Sequence, residues 1–142
     1  MPEAGDDFLK LHHVGYVVAS IDRTVSSFVK SVNGSWNGLV FHDPIQKVMV
    51  TFIDTPGTTV QIELVEPADK ASPVGTFLAS GGGLHHLCYE VHDCERTLRL
   101  IRERDGMIVR RAKPAVAFGG RKIAWAITAE KLLVELVETA SA

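Results

Sequence analysis

Four side chains give this sequence its chemical interest: His13, Glu63, His86 and Glu135. The two histidines lie 73 residues apart and the two glutamates 72, so each His precedes its Glu by 50 or 49 residues. They belong to longer matching segments. Leu11-His12-His13-Val14-Gly15-Tyr16-Val17-Val18 aligns with Leu84-His85-His86-Leu87-Cys88-Tyr89-Glu90-Val91, and Gln61-Ile62-Glu63-Leu64-Val65-Glu66 aligns with Leu133-Val134-Glu135-Leu136-Val137-Glu138. Arg23-Thr24 and Arg96-Thr97 repeat at the first offset. Such paired spacing marks a duplicated unit. Glu63 sits between Ile62 and Leu64, and Glu135 between Val134 and Leu136, where an ionised carboxylate is costly unless it is paired or coordinated. Pseudo-symmetric packing would aim both carboxylates at one place, where they repel, and a divalent cation between them removes the conflict. Two imidazoles and two carboxylates form a borderline N/O donor set that suits one Fe²⁺, Mn²⁺, Co²⁺, Ni²⁺ or Zn²⁺ ion. Taking the second histidine of each His-His pair as the ligand rests partly on a resemblance given below.

Alternation along a strand places other groups relative to these four. Gly15 and Val17 share the face of His13, Cys88 and Glu90 that of His86, Gln61 and Val65 that of Glu63, and Leu133 and Val137 that of Glu135. Gln61, Cys88 and Glu90 are therefore candidate substrate contacts, with a small buried hydrophobe and a rim charge as the plainer readings of Cys88 and Glu90. Gly119-Gly120-Arg121-Lys122 could cradle a phosphate with backbone N–H groups and two cations, or form a basic strand edge. His12 and His85 fall on the opposite face, as outer-layer or surface groups. Glu66 and Glu138 close their strands and are expected in solvent. His42 and Asp43 are expected at a cavity mouth or in a plain loop.

The elements that must carry these residues repeat too. Leu11 to Val18 reads as a strand. Ser20 is an N-cap for a helix whose inner positions include Val25, Phe28, Val29 and Val32, ended by Asn33-Gly34. Strands are expected over 36–41, 47–53 and 58–65, with a Pro56-Gly57 turn. In the second half the strand is 84–91, the N-cap Asp93, the inner helix positions Leu98 and Ile101, the stop Asp105-Gly106, and the strands 107–111, 117–127 and 132–137, interrupted by Pro114 and Gly119-Gly120. The joining segment should hold a short helix capped by Ser72 with Pro73 in its first turn and Phe77 and Leu78 packed down. Gly81-Gly82-Gly83 reads as a hinge. The expectation is an α+β fold: two pseudo-symmetric βαβββ modules, about 9–67 and 84–138 with a linker over 68–83, forming one domain over 1–142 with a cupped, partly open mixed β-sheet around a metal site.

Composition narrows the function classes. The chain has 142 residues, 46% of them hydrophobic and 23% charged, with a net charge of −2. This is globular composition, with no electrostatic case for nucleic acid. No apolar run approaches a membrane span. Cys88 and Cys94 are too sparse for a disulfide framework and are expected to stay reduced, in keeping with a cytoplasmic location.

At Leu11-His12-His13-Val14-Gly15, Glu63-Leu64-Val65-Glu66-Pro67, Ser72-Pro73-Val74 with Phe77-Leu78, Gly83-Leu84-His85-His86 and Leu133-Val134-Glu135-Leu136, the chain resembles the vicinal oxygen chelate superfamily, the glyoxalase/bleomycin-resistance fold. Within it the sequence is most similar to the methylmalonyl-CoA epimerases, some of which carry Gln at the position of Glu63. Two features depart from that group: the turn Ile127 to Lys131 is shorter, and Lys47 to Ile53 has no carboxylate. The resemblance implies His13, Glu63, His86 and Glu135 as metal ligands. It implies a metal-dependent epimerase or isomerase that stabilises an enolate of a 2-substituted acyl-CoA or similar carbonyl compound, with Glu135 and then Glu63 as base, and a homodimer. A glyoxalase I-like lyase, a biosynthetic tailoring enzyme and an antibiotic-sequestering binding protein are the other readings this fold allows.

Overall fold

The computed structural model describes residues 7–140. Along the chain run β1 (Phe8–Val17), α1 (Ile21–Ser31), β2 (Ser35–Trp36), β3 (Phe41–Asp43), β4 (Val48–Asp54), β5 (Gln61–Pro67), α2 (Gly75–Ala79), β6 (Gly83–Val91), α3 (Cys94–Glu103), β7 (Met107–Pro114), β8 (Lys122–Ile127) and β9 (Leu133–Glu138). The fold is α+β, mostly strand, with parallel and antiparallel neighbours. Internal contacts divide the described residues into two units, one from His13 to His85 and one that joins residues 7–12 with residues 86–140. Both divisions fall between the members of a His-His pair.

In the unit from His13 to His85, β1 pairs parallel with β5, β5 antiparallel with β4, and β4 with both β2 and β3. Helix α1 covers one face, where Ile21 and Val25 meet Ile53 and Leu64 in an apolar cluster. In the unit carrying His86, β6 pairs parallel with β9, β9 antiparallel with β8, and β8 with β7. Helix α3 covers its face through Cys94, Leu98 and Ile101 against Ala124, Ala126 and Leu136.

Both helices start as expected. The Arg23 N–H donates to the Ser20 hydroxyl and the Arg96 N–H to Asp93 Oδ1, the side-chain capping that these residue types favour. The helices stop at Asn33 and Asp105, which themselves take φ of 53° and 65°. The glycines that follow do a different job. A Cβ on Gly34 would sit 2.8 Å from the Asp54 carbonyl oxygen, and one on Gly106 would sit 2.8 Å from that of Ile127. Glycine lets the helix end press against a strand.

Three expectations need correction. Residues 36–41 are not one strand: residues 37–40 leave the ladder, with Gly38 at φ of 83°, so β2 and β3 pair with β4 as separate segments. The strand placed over 117–127 begins only at Lys122, because Val116–Phe118 form a 3₁₀ turn followed by two left-handed glycines. Helix α2 begins after Val74 without a side-chain cap, so Ser72 does not cap it. Gly81, Gly82 and Gly83, the last of them opening β6, take φ of 121°, 69° and 98°, and a Cβ on Gly82 would lie 2.8 Å from the Val17 carbonyl oxygen.

Candidate active site

In each unit one histidine and one glutamate meet inside the fold. His13 Nε2 lies 3.3 Å from Glu63 Oε1, and both residues are buried. His86 Nε2 lies 3.2 Å from Glu135 Oε1, again buried. The strands explain the placement. On β1 the buried residues are His13, Gly15 and Val17, alternating with the half-buried His12, Val14 and Tyr16. On β6, His86 and Cys88 are buried and His85 and Leu87 half-buried. Register sets the row: Gly15 faces Glu63, which faces Phe52 on β4, and Cys88 faces Glu135, which faces Trp125 on β8.

Phe52 and Trp125 escaped the reading of the sequence. The His13 and Phe52 rings meet edge to face at 5.5 Å, and the His86 and Trp125 rings at 4.7 Å. Each aromatic restricts the tilt of the imidazole it touches. They stand 73 residues apart, the same period as the histidines, so the repeat did carry the signal.

Glu66 and Glu138 are also not simple solvated strand ends. Glu66 Oε1 accepts the Ile21 N–H at 2.7 Å, and Glu138 Oε2 accepts the Cys94 N–H at 3.0 Å. Each carboxylate sits on the first N–H groups of its helix, where the helix dipole favours negative charge. In each E-L-V-E segment, then, the first glutamate meets a histidine and the second anchors a helix.

The remaining candidates have distinct surroundings. Gln61 Nε2 donates to Asp54 Oδ1, and Glu90 lies 4.0 Å from Lys10 Nζ. Cys88 is fully buried. Arg121 donates to the Glu138 carbonyl oxygen and lies over the Phe118 ring, while Lys122 opens β8 in solvent. The N–H groups of Gly119, Gly120 and Arg121 bond to the carbonyls of Val116, Ala115 and Phe118, so this turn does not aim them at a phosphate. His12 and His85 lie against Phe118 and Phe77. His42 is exposed, and Asp43 accepts the Ile45 and Gln46 N–H groups and closes a turn. Burial, then the charges of Glu138, Asp93, Glu95 and Glu135, push the Cys94 thiol up to about 12. It is a protonated core group and no nucleophile.

The donor chemistry fits a metal. Each unit offers an imidazole nitrogen and a carboxylate oxygen on a buried face, the atom types of a borderline divalent-ion site. Among the described residues no helix is long and apolar enough to cross a membrane.

The family model of the Glyoxalase/Bleomycin resistance protein/Dioxygenase superfamily matches residues 12–125. An ethylmalonyl-CoA/methylmalonyl-CoA epimerase of Cereibacter sphaeroides is 28% identical over 116 residues, 80% of this chain and 84% of that one. An uncharacterised Bacillus subtilis protein, YqjC, is 32% identical over 134 residues, 91% of each chain. The crystal structure of methylmalonyl-CoA epimerase from Mycobacterium tuberculosis superposes with a TM-score of 0.83 at 26% identity, covering 99% of this chain and 94% of that one. Fold, duplicated His–Glu pairs and these matches agree: the chain belongs to the Glyoxalase/Bleomycin resistance protein/Dioxygenase superfamily.

Proposed function

We propose that this chain is a metal-dependent epimerase acting at the carbon α to the carbonyl of a 2-substituted acyl-CoA. The observation that carries the reading is the buried His–Glu pair present once in each unit, in a chain whose relatives include epimerases of ethylmalonyl-CoA and methylmalonyl-CoA. His13, Glu63, His86 and Glu135 would together hold one divalent ion. When bound, such an ion acts as a Lewis acid that offsets negative charge developing on a substrate carbonyl oxygen.

The chain's own residues supply the rest. Phe52 and Trp125 orient the imidazoles. Glu135 takes the α-proton on its carboxylate, and the second candidate, Glu63, returns a proton to the opposite face of the planar enolate, so that the carbon inverts. The apolar strands around both glutamates keep water from competing for the proton. Cys88, beside Glu135 in the register, flanks that carboxylate as a small apolar group.

The test is exchange of the methylmalonyl-CoA α-proton with solvent deuterium, followed by NMR on metal-loaded protein. Exchange lost in Glu135→Gln is the expected result. Absence of exchange in the metal-loaded wild type refutes the substrate assignment.

A further inference from the structure

In the unit carrying His86 a half-buried cation lies in the strand row of the candidate site. Arg110 on β7 is half-buried and pairs in register with Trp125 on β8. Trp125 in turn pairs with Glu135, and Glu135 with Cys88, so one row crosses four strands: Arg110, Trp125, Glu135, Cys88. Ile108 and Ala112 pack against the cluster under α3, which turns them to the opposite face. Strand β7 is irregular on both sides of Arg110, between Ile108 and Arg110 and between Arg110 and Lys113. Irregularities of this kind re-aim a side chain and recur beside active sites.

The neighbouring arginines are occupied. Arg111 is bonded to Glu95 at 2.7 Å, Arg96 to Asp7 at 3.1 Å, and Arg121 to the Glu138 carbonyl at 3.1 Å. The Arg110 guanidinium has no such partner among the described residues, although it is less exposed than Arg96 or Arg111. A guanidinium withdrawn from water wants a planar oxyanion, which it binds through two parallel N–H bonds. Two inter-strand spacings, roughly 10 Å, separate the backbones of Arg110 and Glu135. An arginine side chain reaches across much of that gap. The corresponding strands of the other unit, β3 and β4, contain no Lys or Arg at all and carry Phe41, Val50 and Phe52 instead.

We propose that Arg110 is the substrate-recognition residue of this site, binding an oxyanion of the substrate beside the carbon that Glu135 serves. The proposal rests on the epimerase reading for the position of the site. The oxyanion is either a carboxylate on the acyl group or a phosphate of the carrier, and the strand spacing favours the carboxylate.

Calorimetric binding to metal-loaded protein separates these cases without requiring turnover. The ligands are methylmalonyl-CoA, methylmalonyl-pantetheine, which lacks the nucleotide phosphates, and 2-methylpropionyl-CoA, which lacks the acyl carboxylate. Arg110→Gln should weaken methylmalonyl-CoA binding about 10- to 100-fold, the range for a charge-assisted bond, with metal content unchanged. Equal weakening for methylmalonyl-pantetheine but not 2-methylpropionyl-CoA identifies the carboxylate. Weakening for the two CoA ligands but not the pantetheine thioester identifies the phosphate. Arg110→Lys should recover part of the loss, which a merely structural role would not predict. Unchanged binding of all three ligands in Arg110→Gln overturns the proposal, as does wild-type protein that binds none of them. Wild type that binds in this Arg110-dependent way without exchanging the α-proton refutes the epimerase reading and leaves the recognition role standing.

Discussion

The two units share a set of parts and differ in what surrounds it. Each has a His–Glu pair, an aromatic ring on the edge of the imidazole, a second glutamate on the helix N-terminus and a glycine where the helix end presses on a strand. Beyond these the units diverge. Around His13 the strands beyond β5 carry Phe41, Val50 and Phe52 and contain no Lys or Arg. In the unit carrying His86 the outer strand is β7, with Arg110, Arg111 and Lys113. The shared parts serve the fold and the proposed ion, and those functions need both copies alike. A substrate with one acyl group and one carrier is asymmetric, so groups that read it are free to change in one copy only.

The sharpest way to break the symmetry of the comparison is at the glutamates. Glu135→Gln should lower α-proton exchange by about 10³-fold or more, as expected when a general base and its charge are removed together. Glu63→Gln should lower it far less, because Glu135 abstracts the α-proton whose exchange is measured and the Gln amide keeps an oxygen at the position of Glu63. Equal losses, read by deuterium exchange, would make the two carboxylates interchangeable.

The packing glycines come next. Gly34→Ala and Gly106→Ala should each destabilise the chain by about 1–3 kcal/mol, because the added methyl meets a strand carbonyl. Thermal or urea unfolding measures it, and a large effect in only one unit would show that the helix ends pack differently. Smaller still, Glu66→Ala and Glu138→Ala should each cost about 1 kcal/mol through the loss of a helix-terminal acceptor. The smallest effect concerns Cys94. With its thiol raised to about 12, it should resist iodoacetamide in native protein at neutral pH and react only after unfolding. Because the folded state holds this proton more tightly, its contribution to stability is complete below the ordinary thiol value of 9.0 and fades as pH rises towards 12.

What the sequence disclosed follows from physical range. The offset of 73 exposed His13 and His86, and the caps Ser20 and Asp93 were readable because capping acts over three residues. Phe52 and Trp125 obey the same offset, yet their surroundings match poorly as text, and only the register shows each facing a glutamate. The roles of Glu66 and Glu138 depend on partners 45 and 44 residues away, beyond any local pattern. The break between β2 and β3 was locally encoded, since Asn37-Gly38 is a strong turn signal, but the apolar run around it read as one strand. Arg110 had no signal: its place opposite Trp125 depends on irregularities in β7 that composition does not reveal.

The central claim is that two duplicated His–Glu pairs serve a single ion. Metal content per chain, measured by elemental analysis after equilibrium dialysis of wild type, His13→Ala and His86→Ala, tests it most directly. The account predicts about one ion per wild-type chain and loss of that ion when either histidine is removed. Two ions per chain, or one variant that keeps its metal while the other loses it, would contradict the account.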